Sequence, residues 1–217
     1  SLWQGLGGTW AGRAREAVEP AGTQVLARRT SRPWGEVLRH MNKTSDNAIT
    51  RLLYLQLGVA EMAAQPERST RDLAGQRVRR WLAQHGISDT GLVLDNGSGL
   101  SRSERVTPMQ MASALKVAWF GRHAAELQMS LPVAGVDGTL RNRIKDSPAT
   151  GWARLKTGTL RNVVALAGYV TDNVGWPWAV VVIVNHDNAK VARPVLDALV
   201  DSIARQGPPA AGVARPR

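Results

Sequence analysis

The sequence predicts an α/β (α+β) fold in which a helical subdomain is followed by an antiparallel sheet that a C-terminal helix covers. Helical spacing of apolar residues dominates the stretch from residue 31 to about residue 120. Period-two and continuous apolar patterns replace it between residues 153 and 184. A last helical pattern includes Leu196 and Val200 and could cover one face of the sheet.

Composition narrows the class of protein before any motif is considered. The chain has 217 residues, 43% of them hydrophobic, which is enough to bury a sizeable core in an ordinary soluble globular protein. Because it has no Cys, it can have neither a disulfide framework nor a thiolate metal site. The longest apolar run, Trp178 to Val184, is far shorter than the roughly 20 residues that cross a bilayer. The net charge of +11 raises the question of a polyanionic partner, although the basic residues are dispersed.

The helical half begins after an irregular lead-in, predicted for residues 1–30, which are rich in Gly, Ala and Arg. Two helices are then expected to meet at the tripeptide Ser45-Asp46-Asn47. A further helix is predicted over residues 71–85, followed by a short strand from Gly91 to Asp95. Thr107-Pro108-Met109-Gln110 has the pattern of a capping box, and therefore predicts the start of another helix.

The second half has the pattern of a meander. Three neighbouring antiparallel strands are predicted at Ala153 to Thr159, Val163 to Val170 and Trp178 to Val184. A hairpin turn is expected at Asp172-Asn173 with Gly175, between the second and third strands. Residues 206–217, rich in Gly, Pro and Ala, are predicted to form a disordered tail.

Two tripeptides indicate chemistry, Ser45-Asp46-Asn47 and Lys156-Thr157-Gly158. Each is weak alone, because Ser45 could simply cap a helix and Lys156 could be an exposed strand residue. Together, in this order, they match two of the three signature motifs of penicillin-binding proteins and class A β-lactamases. The third signature motif is a Ser-x-x-Lys that carries the nucleophile.

The chain resembles the C-terminal half of the class C low-molecular-mass penicillin-binding proteins, the periplasmic D-alanyl-D-alanine carboxypeptidase/endopeptidases. The resemblance implies that residues 31–205 are the C-terminal portion of a DD-peptidase domain with the penicillin-binding/β-lactamase-like transpeptidase fold, here incomplete. It also implies acyl-enzyme hydrolysis of peptidoglycan peptides and binding of β-lactam antibiotics, without a cofactor or metal. Further matching segments are Gly97-Ser98-Gly99-Leu100-Ser101-Arg102, Ser130-Leu131-Pro132-Val133-Ala134-Gly135 and Asp137-Gly138-Thr139-Leu140.

The residues of the second tripeptide suit a peptide that ends in D-alanine. The ammonium group of Lys156, beside the hydroxyl of Thr157 or Thr159, could hold the terminal carboxylate by charge-assisted hydrogen bonds. Gly158 leaves the strand surface clear, and an edge strand could pair with the main chain of the incoming peptide. These residues are therefore candidates for substrate binding, and Lys156 also for catalysis.

The first tripeptide suits the other part of the reaction. Asn47 is expected to hydrogen-bond the substrate backbone, and Ser45 to relay a proton between Lys156 and the leaving amine. By resemblance, Arg102 lines the subsite for the side chain of the peptide. Ser45, Asn47 and Lys156 are accordingly the predicted catalytic residues.

The nucleophile motif is missing upstream of Ser45. Ser113-Ala114-Leu115-Lys116 is the chain's sole Ser-x-x-Lys, but it follows Ser45 and lies inside a predicted helix, where such pairs are common on surfaces. The chain alone is therefore predicted to be inactive and not to be acylated by penicillin. Since part of the family's sheet is also absent, exposed apolar surface is expected, with either a homo-oligomer or a loosened fold as the result.

Other functions fit the sequence less well. A class A β-lactamase needs a deacylating glutamate between the two tripeptides, and Glu126 does not stand in the required pattern. No histidine stands in a hydrolase or metal-ligand motif, and no nucleic-acid-binding signature is present. The alternative that stays open is a non-catalytic basic module that binds a cell-wall peptide or another polyanion.

Overall fold

The computed structural model describes residues 2–13 and 15–207. Its internal contacts divide the chain into two units, Ser1–Ser31 and Arg32–Arg217. The first unit contains one short helix, α1 (Leu2–Gly5). Of the predicted disordered tail, residues from 208 onward lie outside the described part of the chain.

The second unit confirms the predicted order of helices, sheet and closing helix. Its helices are α2 (Trp34–Thr44), α3 (Asn47–Val59), α4 (Thr70–Gln84), α5 (Pro108–Trp119), α6 (Ala124–Ser130) and α7 (Arg193–Ala204). Its strands are β1 (Arg154–Leu160), β2 (Val163–Thr171) and β3 (Pro177–Asn185). Two short 3-10 helices occupy Gly138–Leu140 and Ala189–Ala192.

Local signals account for two helix boundaries. The capping box of α5 is present, since the Gln110 N–H donates to Thr107 Oγ1 at 3.1 Å and the Thr107 N–H donates to Gln110 Oε1 at 2.9 Å. Ser69 is the N-cap of α4, since its side chain accepts the N–H of Asp72. The strand predicted from Gly91 to Asp95 is wrong: this segment forms only the isolated bridge between Val93 and Arg105. Its partner segment offers a single paired residue, which is too little for a ladder.

The sheet is antiparallel in the order β1-β2-β3, as predicted. Leu166 of β2 belongs to the main core together with Leu196 and Val200 of α7. Tyr169, three residues further along β2, donates its hydroxyl proton to the Leu115 carbonyl of α5 at 2.7 Å. Because side chains alternate along a strand, α7 and α5 lie on opposite faces of the sheet.

Within the described residues, none of the helices combines the length and apolar character that crossing a bilayer requires. The longest, α4, has 15 residues and contains several arginines.

Candidate active site

Ser45 lies at the junction between α2 and α3, as predicted. It ends α2 in the left-handed conformation, with φ 58° and ψ 49°, and its N–H donates to the Met41 carbonyl. Asp46 begins α3 as its N-cap, since its carboxylate accepts the Ile49 N–H at 2.9 Å. Because the Asp46 side chain caps α3, Ser45 and Asn47 are the residues of the tripeptide whose side chains are available to the site.

Lys156 lies on β1 and meets Ser45 across the molecule. Its cross-strand partner is Ala167, so its side chain shares the α5 face of the sheet and points away from the α7 core. Lys156 Nζ donates to Ser45 Oγ at 2.8 Å and to the Thr157 carbonyl at 2.9 Å. The structure therefore brings two of the three predicted catalytic side chains into direct contact.

The electrostatic setting of Lys156 differs from that of an ordinary surface lysine. Burial lowers the pKa of its ammonium group, because removing water disfavours the charged form. Among the ion pairs formed by the described residues, none includes Lys156. This half-buried positive charge is compensated only by neutral oxygen acceptors, and an external anion could therefore bind it strongly.

Asn47 is the first residue of α3 and faces the loop that precedes α5. Its Nδ2 donates to the Ser98 carbonyl at 2.6 Å. The loop is held in turn by the Asn96 side chain, which accepts the Ser98 N–H at 2.9 Å, and by Glu104, which accepts the Gly97 N–H at 3.2 Å. Asn47 thus connects the tripeptide to a glycine-rich loop, and no hydrogen bond between Asn47 and Lys156 is formed.

Thr157 and Thr159 alternate to the face of β1 opposite Lys156. Thr157 Oγ1 donates to Thr139 Oγ1 at 2.8 Å, and Thr159 Oγ1 accepts from Arg193 at 3.3 Å. The structure does not join either hydroxyl to the lysine by a side-chain contact. Both residues still border the outer edge of β1, which a ligand could approach from either face.

An open cavity of about 610 Å³ lies beside Gly158. Gly158, Thr159 and Arg102, three of the four predicted substrate-binding residues, line it. A Cβ on Gly158 would meet only Ala165 Cβ, at 3.5 Å, so packing within the chain does not require a glycine there. Arg102 donates to the Arg161 carbonyl at 3.0 Å, which ties the loop before α5 to the turn between β1 and β2.

Among the described residues, backbone–backbone hydrogen bonds cover the outer edge of β1 only at its beginning, while Thr139 contacts Thr157 further along through side chains. At the beginning of the strand, the Leu155 N–H donates to the Pro132 carbonyl at 2.9 Å and the Ala134 N–H donates to the Ala153 carbonyl at 3.0 Å. Within the described sheet, β1 has only β2 as a neighbouring strand. Since alternate N–H groups of a strand point to the same side, those of Thr157 and Thr159 point outward from this edge.

Sequence reasoning assigned no role to three polar residues near the site, Lys43, Asp137 and Thr139. Thr139 contacts Thr157, while Lys43 pairs with Asp137 at 2.6 Å. The available signal was the segment Asp137-Gly138-Thr139, which belongs to the motifs that carry the family resemblance. The pair Ser113 and Lys116 lines a different groove, together with Trp119 and Trp178.

Comparison with known proteins gives a consistent family. A family model described as the D-Ala-D-Ala carboxypeptidase 3 (S13) family matches residues 1–206. A D-alanyl-D-alanine carboxypeptidase from Actinomadura sp. (strain R39) is 37% identical over 157 residues, covering 70% of this chain and 28% of that protein. The D-alanyl-D-alanine carboxypeptidase DacB of Haemophilus influenzae is 32% identical over 182 residues, covering 83% of this chain and 37% of that protein.

Solved structures agree with these sequence matches. Penicillin-binding protein 4 (dacB) from Haemophilus influenzae, complexed with a β-lactam, superimposes with a TM-score of 0.71 and 31% identity, covering 84% of this chain and 42% of that one. A predatory endopeptidase from Bdellovibrio bacteriovorus, at 22% identity and a TM-score of 0.55, shares the fold. The chain spans 28% and 37% of the length of the two curated relatives described above.

Proposed function

The chain belongs to the D-Ala-D-Ala carboxypeptidase 3 (S13) family, and we propose that it forms the Ser45, Asn47 and Lys156 side of a serine-type active site. The reaction is hydrolysis of a peptide bond that follows D-alanine in peptidoglycan, as a carboxypeptidase or a DD-endopeptidase. The attacking serine comes from a segment outside this chain, because no Ser-x-x-Lys precedes Ser45. The site is accordingly extracytoplasmic, in the periplasm where the bacterium has one, since that is where the substrate lies.

The observation that carries the proposal is the 2.8 Å hydrogen bond from Lys156 Nζ to Ser45 Oγ. It joins a positive charge that lacks a carboxylate partner in the described chain to a hydroxyl that can pass a proton. A peptide that ends in D-Ala-D-Ala brings a free carboxylate, and a lysine in this setting binds a carboxylate more strongly than it binds a neutral group. The substrate thus supplies the anion that the site lacks.

The outer edge of β1 supports the orientation of the substrate. Its outward N–H groups at Thr157 and Thr159 can pair with the main chain of an extended peptide, which would add a strand to the sheet. Gly158 lies between them and has no side chain to obstruct the peptide. Main-chain pairing fixes the scissile bond along the strand, while Lys156 fixes the position of the terminal carboxylate.

Ser45 completes the proton balance when the acyl-enzyme forms. As the acyl bond forms, the attacking serine passes its proton to the lysine of its own Ser-x-x-Lys motif. As the C–N bond breaks, the departing nitrogen takes a proton from Ser45 Oγ, Ser45 Oγ takes one from Lys156 Nζ, and Lys156 regains a proton from the lysine of that motif. Lys156 can give a proton to Ser45 because burial has already lowered the pKa of its ammonium group. The leaving amine is therefore released neutral, and Ser45 is never left as an alkoxide.

β-Lactams of the penicillin type have the chemical groups needed to bind at the same site as the peptide. They carry a carboxylate near a strained amide, so they would occupy Lys156 in place of the terminal carboxylate of the peptide. Asn47 is proposed to hydrogen-bond the backbone amide of either ligand, because its side chain lies where α3 meets the loop of Ser98. Arg102 is proposed to contact the peptide side chain within the cavity beside Gly158.

The test is equilibrium binding to the 217-residue chain, which needs no nucleophile. A short peptide ending in D-Ala-D-Ala is titrated in parallel with the same peptide carrying a C-terminal amide. A charge-assisted hydrogen bond contributes about 1.5–3 kcal/mol, so we expect the carboxylate form to bind roughly 10-fold to 100-fold more tightly. Lys156→Met should remove this difference, and Lys190→Met, at an exposed lysine, should preserve it.

Equal binding of the two peptides, or a preference that survives Lys156→Met, would contradict the proposal. If a basic, non-catalytic module were the correct alternative, the chain would instead bind polyanions with a strong salt dependence and without regard to Lys156.

A further inference from the structure

A second lysine lies two residues before Ser45 and is bonded in a different way from Lys156. Lys43, in the last turn of α2, donates from Nζ to Asp137 Oδ1 at 2.7 Å and to Asp137 Oδ2 at 2.6 Å. It also donates to the Leu131 carbonyl at 2.6 Å. All of its donor capacity is used and its charge is neutralised, so it has nothing to offer an external carboxylate.

Asp137 is held as firmly as its partner. Its Oδ1 also accepts the Val133 N–H at 2.8 Å. Burial alone would raise the pKa of this carboxyl, but the hydrogen bonds from Lys43 and Val133 outweigh burial and lower the pKa. The pair is largely shielded, with the Lys43 side chain 14% exposed and the Asp137 side chain 30% exposed.

The segment that carries Asp137 is itself attached to β1 on both sides of Lys156. The Pro132 carbonyl accepts the Leu155 N–H at 2.9 Å, and Thr139 Oγ1 accepts a hydrogen bond from Thr157 at 2.8 Å. Residues 131–140 therefore contact the neighbours of Lys156 in both directions along the strand.

The same segment lies directly against the end of α2. Gly138 has a φ of 57°, and a Cβ on it would lie 3.0 Å from the Lys43 carbonyl and 3.1 Å from Pro132 Cβ. A side chain at this position would therefore require the helix end or the segment to move by a few tenths of an ångström, in addition to the strain of its positive φ. The contact is thus made by close backbone packing as well as by the ion pair.

We propose that Lys43 and Asp137 are positioning residues that hold the end of α2 against residues 131–140 and thereby set Ser45 at hydrogen-bonding distance from Lys156. The inference rests on the proposed function, because it assigns these residues to the geometry of the same site. Ser45 needs such support, since a left-handed conformation is unfavourable for a residue other than glycine and persists only where surrounding contacts enforce it.

The experiment measures the pKa of Lys156 Nζ by NMR of the lysine-labelled chain, in Lys43→Met and in Asp137→Asn. If the site loosens, water reaches Lys156, and both variants should raise the pKa of Lys156 toward its usual 10.5. A purely electrostatic effect would have opposite signs, because one variant removes a positive charge and the other a negative charge. A rise in the pKa of Lys156 in both variants would therefore indicate that Lys43 and Asp137 position the site.

The matched control is Asp197→Asn, which breaks the ion pair between Arg143 and Asp197. That pair has a similar length of 2.6 Å and side chains that are 22% and 28% exposed, but it contacts neither Ser45 nor Lys156. It should lower the melting temperature without moving the pKa of Lys156. Asp137→Glu keeps the charge and lengthens the side chain, so it tests the geometry if one of the other variants does not fold.

Peptide binding separates this inference from the proposed function. We expect Lys43→Met and Asp137→Asn to weaken binding of the D-Ala-D-Ala peptide about tenfold, as misplacement of a binding group does. If the unaltered chain does not bind the peptide but the pKa of Lys156 rises in both variants, the function is wrong and the positioning stands. If the chain binds the peptide and neither variant changes affinity or pKa, or the two pKa shifts have opposite signs, the positioning is overturned.

Discussion

The 2.8 Å contact between Ser45 and Lys156 joins residues from two elements that are far apart in the chain. A lysine ammonium group is strongly hydrated, and burying it beside a neutral hydroxyl costs free energy that the rest of the fold must supply. Binding sites commonly carry such locally unfavourable groups, because a fully satisfied lysine would have nothing to offer a ligand. Lys43 is a satisfied lysine in the same chain, because its ammonium group is paired with the Asp137 carboxylate.

We therefore expect Lys156→Met to stabilise the folded chain at neutral pH. Removing the buried charge should outweigh the lost hydrogen bond to Ser45 and raise Tm by about 2–4 °C, the shift that roughly 1 kcal/mol produces in a chain of this size. Between the lowered pKa of the folded state and the usual value of 10.5, the folded state binds fewer protons than the unfolded state. The stability of the unaltered chain thus rises with pH in this window, and the advantage of the variant shrinks.

Thermal unfolding from pH 7 to pH 11 checks this, with Lys190→Met as the exposed control. A gap between Lys156→Met and the unaltered chain that widens with pH would contradict the expected protonation.

At the residue scale, the sequence could reveal Ser45, Asn47 and Lys156 because the two tripeptides are contiguous patterns with a known chemical use. The structure confirms that Ser45 and Lys156 meet; the catalytic roles of all three stay predictions. Lys43 and Asp137 are 94 positions apart, and although Asp137 lies in a segment that carries the family resemblance, no local pattern pairs it with Lys43, because their partnership exists only in the folded chain. Asp46 could have been recognised as an N-cap, since it precedes a helical pattern.

At the scale of elements, a local signal predicted the start of α5, whereas the prediction of a strand, which depends on a tertiary partner, failed. A capping box marks the start of α5, and this signal depends on only four residues. The short α6 (Ala124–Ser130) escaped prediction because seven residues hold too few apolar positions to establish a helical period. The strand predicted from Gly91 to Asp95 was wrong. The apolar run of this segment suits a strand, but the segment forms only a one-residue bridge.

The capping box also predicts the relative effects of two substitutions. Thr107→Ala should destabilise the chain by about 1 kcal/mol, the usual loss for an N-cap hydroxyl. Gln110→Ala should cost more, because Gln110 Nε2 also donates to the Ser88 and Thr90 carbonyls at 2.9 and 3.0 Å, so three partners lose a bond.

Urea unfolding of both variants, with Met109→Ala as the control at a neighbouring, mostly exposed position of the same helix, checks this order. If Thr107→Ala proves the more damaging, Gln110 does not anchor the segment before α5.

At the scale of the whole molecule, the alternation of side chains explains how neighbouring residues of β1 can contribute to the core and to the candidate site. Leu155 is fully buried toward α7, while its neighbour Lys156 turns to the α5 face. The sheet therefore presents an apolar face to the core and a second face to the candidate site, and this division could be predicted from the period-two pattern. The contact of residues 131–140 with β1 could not be predicted, because this segment has no regular structure except the 3-10 helix Gly138–Leu140, which is too short to show a period. The homo-oligomer also stays a prediction.

Because no Ser-x-x-Lys precedes Ser45, penicillin should form no adduct with this chain alone. Ser45 Oγ accepts a hydrogen bond from Lys156, and the role proposed for it is that of a proton relay rather than of a nucleophile. Ser113 and Lys116 satisfy the spacing of the missing motif, but they line a groove with Trp119 and Trp178 that does not include Lys156 or Gly158. Intact-mass spectrometry after incubation with penicillin should therefore show the unmodified chain.

Reversible binding should nevertheless persist, because the penicillin carboxylate needs only Lys156, and penicillin should displace the D-Ala-D-Ala peptide without an adduct. Two serine variants make an unexpected adduct informative. If peptide mapping places the adduct on Ser45 and Ser45→Ala abolishes it, Ser45 is itself the nucleophile and the relay is wrong. If Ser113→Ala abolishes it, the reactive centre lies in the groove beside α5, and the pairing of Ser45 with Lys156 loses its catalytic meaning.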